Sequence, residues 1–216
     1  INNVAIGYHA GRLIQGGQGN VAIGTEALKT NVSGNNNFAL GTEALKVSTA
    51  SNNVAVGGLS QPATSTGEKN VSLGYFTLNA NTTGFENVAI GNVAMQLNVD
   101  GYRNIAIGSE ALLSNSAGYG NIGFGQGALY SSTGDRNIVI GYQSGASLTS
   151  GSRNILVGSS ITFPSNTGSN QMTIGNIIYA TGVDGTGTTV SSGSVGIKTN
   201  SPQRSLHVAG EVRIAD

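Results

Sequence analysis

A pentapeptide of the form Asn-apolar-small-apolar-Gly recurs along most of the chain at a nearly fixed interval. Its first position falls at Asn3, Asn20, Asn37, Asn53, Asn70, Asn87, Asn104, Asn121, Asn137 and Asn154, and Gln171 fills an eleventh; the spacing is always 17 or 16 residues. The closing Gly is kept each time, from Gly7, Gly24, Gly41 and Gly57 to Gly158 and Gly175. Self-similarity at such a period marks a solenoid, in which each repeat buries its apolar face only by stacking on the next. A chain of this kind is a rod, and rods are expected to carry or present something rather than catalyse.

The remaining bulk properties narrow the classes further. With 34 Gly in 216 residues and only 9% charged residues, an aperiodic chain would read as disordered. The period turns Gly and Asn into turn residues placed once or twice per rung. Net charge is zero, so the basic footprint of a nucleic-acid binder is missing. Without Cys there are no disulfides and no thiolate metal sites. No apolar run approaches the ~20 residues of a membrane span. The chain opens at Ile1 with no charged-then-apolar leader, which reads as an excised or processed piece of something longer.

Within one rung, Asn87-Val88-Ala89-Ile90 alternates, so Val88 and Ile90 face one side and Ala89 the other. The β-branched pair recurs as Val4/Ile6, Val21/Ile23, Val54/Val56, Ile105/Ile107 and Ile138/Ile140. Stacked at about 4.8 Å per rung, these residues form two ladders on a parallel sheet roughly 50 Å long. The opposite face carries Ala5, Ala22, Ala39, Ala55, Ala89 and Ala106. A thin roll gains by burying such a small-residue face against partner chains. A second pair, Ala27-Leu28, Ala44-Leu45, Ala94-Met95, Ala111-Leu112 and Ala128-Leu129, closes the roll as either a strand or a single helical turn. The 16-residue intervals lose their residue after this pair, which makes that segment a loop, because a deletion inside a strand would flip its register. Gly17, Gly34, Gly67, Gly84, Gly101, Gly118, Gly134, Gly151 and Gly168 precede the Asn-type slot by three and suit a positive-φ turn. The stacked Asn residues are placed to pair amides up the rod.

The string Asn-Val-Ala-Ile-Gly resembles the head repeat of trimeric autotransporter adhesins. The longer unit, with Ala-Leu after the Gly, is similar to repeats of bacteriophage tail fibres and related bacterial fibre proteins. Near the C-terminus, Gly193-Ser194-Val195-Gly196-Ile197-Lys198-Thr199-Asn200-Ser201-Pro202 and Leu206-His207-Val208-Ala209-Gly210 resemble the connector that follows such repeats, with Lys198 in place of the usual Gly. The resemblance implies an all-β fold: a left-handed parallel β-roll of about eleven 17-residue rungs. It also implies an intertwined or side-by-side homotrimer, and contact with adjacent fibre modules. The expected division is a repeat domain over 1–178 and a connector over 179–216, where Gly182, Gly185, Gly187 and Gly193 break the period and Leu206, His207 and Val208 alternate as a short strand. The implied role is non-enzymatic: adhesion, binding of a cell-surface glycan receptor or presentation of a tip, outside the cell or on a virion, with no nucleic acid and no membrane insertion. A trimeric left-handed β-helix acyltransferase is the rival enzyme reading, but that family repeats every six residues and uses interfacial His. Ice binding needs flat Thr ladders, whereas the slot after each Gly reads Tyr8, Thr25, Thr42, Gly58, Tyr75, Asn92 and Ser109.

Motifs with a chemical look are expected to be structural. Gly118-Tyr119-Gly120-Asn121-Ile122-Gly123 matches a dinucleotide fingerprint but runs into a strand rather than a helix. His9 and His207 lie too far apart along a rod for a catalytic or metal pair, so no catalytic residue, metal or cofactor is assigned. Asn31, Asn70 and Asn81 head formal glycosylation sequons read as incidental. The candidate ligand-binding residues lie on the turn before the strand. Phe85, Tyr102 and Tyr119 recur on consecutive rungs and are spaced to stack edgewise into a strip, a surface suited to sugar rings. Lys69, Glu86 and Arg103 form a ladder of alternating sign, while Arg136 and Arg153 are like-charged neighbours suited to an acidic partner.

Overall fold

The computed structural model describes residues 2–186 and 189–212, so Ile1, Gly187, Thr188 and the last four residues of the C-terminal segment lie outside the described residues. Fourteen three-residue strands form one sheet in chain order. The first eleven carry the repeat: β1 (Val4–Ile6), β2 (Val21–Ile23), β3 (Phe38–Leu40), β4 (Val54–Val56), β5 (Val71–Leu73), β6 (Val88–Ile90), β7 (Ile105–Ile107), β8 (Ile122–Phe124), β9 (Ile138–Ile140), β10 (Ile155–Val157) and β11 (Met172–Ile174). All are parallel, each joined to the next by one turn of chain, and no helix occurs among the described residues. The molecule is an all-β parallel solenoid of about ten turns.

Register is kept through both short rungs: Ala39 pairs with Ala55 and Gly123 with Val139. The missing residue comes from the turn after the second apolar pair. There a 17-residue rung places an Asn such as Asn31, whose side chain donates to the Gly34 carbonyl (3.1 Å) and accepts from its N–H (2.8 Å). The short rungs put Ser48 and Ser132 at that position, one residue closer to the next turn. Asn81, Asn98 and Asn115 repeat the clamp and join amide to amide, with Asn98 Nδ2 2.7 Å from Asn81 Oδ1. This second Asn column is buried like the first.

The closing wall is neither strand nor helix. Its residues alternate in the sign of φ: Glu26 (58°) and Leu28 (47°) are left-handed while Ala27 and Lys29 between them are not. Left-handed residues send their N–H to a neighbouring rung, as Leu28 does to Ala44 (3.0 Å), and those between close local turns, as Ala27 does onto Gly24 (3.3 Å). The N–H groups of Glu26, Ala27, Leu28 and Lys29 thereby all find acceptors without a helix.

The interior differs from the expectation in one decisive respect. Ala22, Ala39, Ala55, Ala89 and Ala106 are fully buried inside the single chain, while the Val/Ile ladders point outward. The Ala face is the core, not a surface kept for partner chains. The reason is size: on the rungs whose strand centres are Ala22, Ala39, Ser72, Ala89, Ala106 and Gly123, the far wall carries Leu28, Leu45, Leu78, Met95, Leu112 and Leu129, all six of them fully buried, which leaves space only for a small residue opposite. At β9 the strand centre is larger and the far wall smaller. Val139 is matched by Gly145, where a Cβ would come within 3.2 Å of Val139 Cγ2.

The glycines three before the Asn slot also need a different explanation, because none has positive φ. A Cβ on Gly101 would lie 2.7 Å from the Gly118 carbonyl oxygen, and one on Gly118 2.5 Å from that of Gly134. These positions exclude a side chain because the next rung's backbone occupies its place. Positive φ occurs two residues later, at Asn36, Lys69, Glu86, Arg103, Arg136 and Arg153. The Asn column itself is as expected: Asn87 Nδ2 donates to Asn70 Oδ1 and Asn104 Nδ2 to Asn87 Oδ1, both at 3.1 Å. Burial of Asn31, Asn70 and Asn81 closes all three sequons in the folded chain.

After β11 the chain reverses. β12 (Ile178–Ala180) runs antiparallel to β11, β13 (Val195–Ile197) antiparallel to β12, and β14 (Leu206–Val208) parallel to β13. Asp184 holds the β12–β13 connection, accepting from the N–H (2.9 Å) and hydroxyl (2.7 Å) of Ser192. Those bonds, the backbone one first, hold its carboxyl below the usual range.

Candidate functional site

Each turn that feeds a strand ends in two outward positions immediately before the Asn. The second donates its N–H to the carbonyl of the first position one rung earlier: Arg103 to Phe85 (3.0 Å), Gly120 to Tyr102 (3.1 Å) and Arg136 to Tyr119 (2.9 Å). These bonds fix the spacing of the outward side chains. Phe85, Tyr102 and Tyr119 are thereby brought into one stack, with ring centroids 4.9 and 5.0 Å apart and planes within 5°. The rings lie face to face rather than edge to edge as the sequence led us to expect. Isolated aromatic pairs prefer offset or T-shaped geometry; here the backbone repeat dictates the stack. The inner faces cover one another, leaving ring edges and the two end faces outward.

The ion-pair ladder beside the stack is present. Arg103 Nε lies 2.8 Å and Lys69 Nζ 3.8 Å from the Glu86 carboxylate. The hydrogen bond from Arg103 is the first cause holding the Glu86 carboxyl below its usual range, and it raises the guanidinium in turn. All three side chains are at least a third exposed, so the ladder sets local charge order more than stability. The Arg103 guanidinium carbon sits 6.0 and 5.9 Å from the Phe85 and Tyr102 ring centres.

At the far end the next rung offers Asp135 instead of a ring, and Asp135 Oδ1 accepts from the Tyr119 N–H (3.1 Å). Arg136, from that rung, lays its guanidinium over Tyr119 at 5.0 Å. The structure therefore joins Phe85, Tyr102, Tyr119 and Arg136, while Arg153, one rung further, stands exposed. Neither Arg136 nor Arg153 is in an ion pair among the described residues.

At the near end, a cavity of about 200 Å³ opens beside Phe85, lined also by Thr66, Glu68, Lys69, Thr83 and Glu86. Glu68 occupies the aromatic position one rung before the stack; its carboxylate has no hydrogen-bond or ion-pair partner among the described residues. The sequence reading passed over Glu68 because it breaks the aromatic run. Its place in the same column, 17 residues before Phe85, was the available signal.

Gly118–Gly123 is one turn entering β8, with no helix after it. His9 lies 3.9 Å from Glu26 near the first rungs, and His207 Nδ1 accepts from the Gln203 N–H (3.3 Å) on β14. No three His, Cys, Asp or Glu side chains among the described residues gather as metal ligands. In comparisons with known proteins, no family model, no curated protein and no solved structure matches this chain.

Proposed function

We propose that this chain is a non-enzymatic segment of a trimeric, left-handed extracellular fibre that mediates adhesion, through a glycan receptor or by presenting a binding tip. The observation that supports this reading is the pair of outward apolar ladders. Val71, Leu73, Ile105, Phe124, Ile140 and Val157 are all more than a third exposed in the single chain. An apolar strip continuous over the length of the rod exceeds what a monomer ordinarily leaves to water. Because the Ala face is spent on the interior, these ladders are the surface three rods would share. The resemblance of the repeat to adhesin and tail-fibre sequences points the same way.

Light scattering coupled to size exclusion tests the assembly, with a mass of three chains expected. Ile107→Asp on the outward ladder should shift that mass toward one chain while leaving the sheet's circular dichroism in place. A parent protein that runs as one chain at all concentrations would overturn the proposal. A glycan-array screen of the assembled protein then tests the receptor class.

A further inference from the structure

We propose that the free face of Phe85, with the Glu68 carboxylate beside it, is a docking site for the guanidinium group of an arginine side chain on a partner protein. The stack shows the binding mode at its other end, where Arg136 already covers Tyr119 at 5.0 Å. The Phe85 face turned toward the preceding rung has no ring or cation over it among the described residues; the cavity lies there instead. A ring face attracts cations through its quadrupole, and arginine adds a planar group that stacks.

Charge selects the ligand. Two carboxylates and one ammonium line the cavity, and Lys69 reaches toward Glu86, already bound by Arg103. Glu68 is left without a cation. The Glu68 backbone carbonyl accepts from the Glu86 N–H (3.0 Å), but its carboxylate, unlike that of Asp135 in the same column, holds no backbone N–H among the described residues. A guanidinium lying on Phe85 would give that carboxylate a forked partner, and the Thr66 and Thr83 hydroxyls can accept from its remaining N–H groups. A neutral sugar ring on the same face would cover the Glu68 charge without answering it.

The test uses the full chain and N-acetyl-arginine amide as probe, read by saturation-transfer NMR titration. N-acetyl-citrulline amide, the neutral isostere, and a neutral disaccharide serve as comparators. The arginine probe should bind most tightly and weaken with added salt. Phe85→Leu and Glu68→Gln should each weaken it roughly fivefold or more, with Arg12→Gln, exposed on the first rung, unchanged. Light scattering on each variant separates lost binding from lost assembly, and Phe85→Leu keeps an apolar side chain in the column while removing the ring. Equal binding of arginine and citrulline probes, tighter binding of the disaccharide, indifference to Glu68→Gln, or absence of any saturation signal would each overturn the proposal. The site does not depend on the fibre reading: a single-chain species that binds the arginine probe would defeat the trimer and leave this site standing.

Discussion

Around β6 and β7 the part of the interior between the two Asn columns is apolar, with Ala89 and Ala106 at the strand centres and Met95 and Leu112 opposite, all fully buried. Around β4 and β5 Ser72 takes a strand-centre place, Gln61 the place of Met95 and Ser60 the place of Ala94, buried just as completely. Here Ser60 and Ser72 hydroxyls meet at 2.5 Å, Gln61 Nε2 donates to Ser72 at 2.6 Å, and Gln61 Oε1 has no partner among the described residues. The polar level divides the core in two, one apolar cluster running from Ala22 to Ala55 and another from Leu78 to Phe163. The backbone ladder crosses this level unchanged, Ala55 pairing with Ser72. Rung geometry is thus set by backbone bonds, Gly and Asn, while interior chemistry is set locally, as expected where each repeat touches only its neighbours. Cooperativity should differ between the two stretches.

The sharpest way to break this contrast is to disturb the apolar stretch. Ala106→Leu forces extra carbons into a column with no space and should cost about 1–3 kcal/mol, read as a fall in melting temperature. Asn115→Ala should follow at about 1–2 kcal/mol, because it strips buried partners from the Gly118 carbonyl and from Asn121 Nδ2. An Ala106→Leu protein that melts with the parent would place that column outside the core.

A gentler change should erase the contrast. Ser60→Ala, Gln61→Met and Ser72→Ala together replace every member of the polar cluster with apolar groups of similar size. Removing such a cluster whole is neutral to stabilising, here by roughly 1 kcal/mol. Hydrogen exchange should then report one protected block spanning β2 to β10 instead of two. A triple variant less stable than its parent would show that the polar level supplies stability of its own.

The smallest effect lies on the surface of the first block. Glu26 is held by Lys29 (2.6 Å) and Lys46 (2.8 Å), and the hydrogen bond from Lys29, then that from Lys46, lowers its carboxyl from 4.5 to about 2. A depressed folded-state pKa gives a contribution present above 4.5 and lost as pH falls toward 2. The melting temperature of the parent should therefore drop further across that window than that of Glu26→Gln. Parallel curves would show that the contacts contribute nothing in solution.

Much of the fold was legible because Asn and Gly recur in single columns, and a repeated polar residue at fixed phase implies stacking. What the alternation of Val88-Ala89-Ile90 could not state is which face is inside, since both faces are apolar. Burial was decided by the far wall, whose Leu28 and Leu45 leave room only for Ala. The far wall itself was ambiguous: Thr25-Glu26-Ala27-Leu28-Lys29 consists of helix formers, but stacking at rung spacing forces alternate left-handed residues upon it. Ser60, Gln61 and Ser72 stand in the sequence as departures from Ala, Leu and Ala, but that their side chains meet across two rungs depended on geometry the period does not carry. In the candidate site, Phe85, Tyr102 and Tyr119 announced themselves by period. The direction of stacking and the open end at Glu68 depended on side-chain geometry that period alone does not carry.

The strand-closing glycines have a consequence for how such a chain can vary. A Cβ on Gly108 would stand 2.5 Å from the Gly125 carbonyl carbon, so each rung accepts one shape of neighbour and no other. Length is therefore quantised: duplication or loss of a whole rung leaves every surviving interface intact, whereas a partial insertion shears the columns apart. The turn near Ser48 and Ser132 is the one place where a single residue has been dropped without penalty to register. A lineage built on this unit can change its reach in steps of about 4.8 Å while leaving each wall chemically as it was.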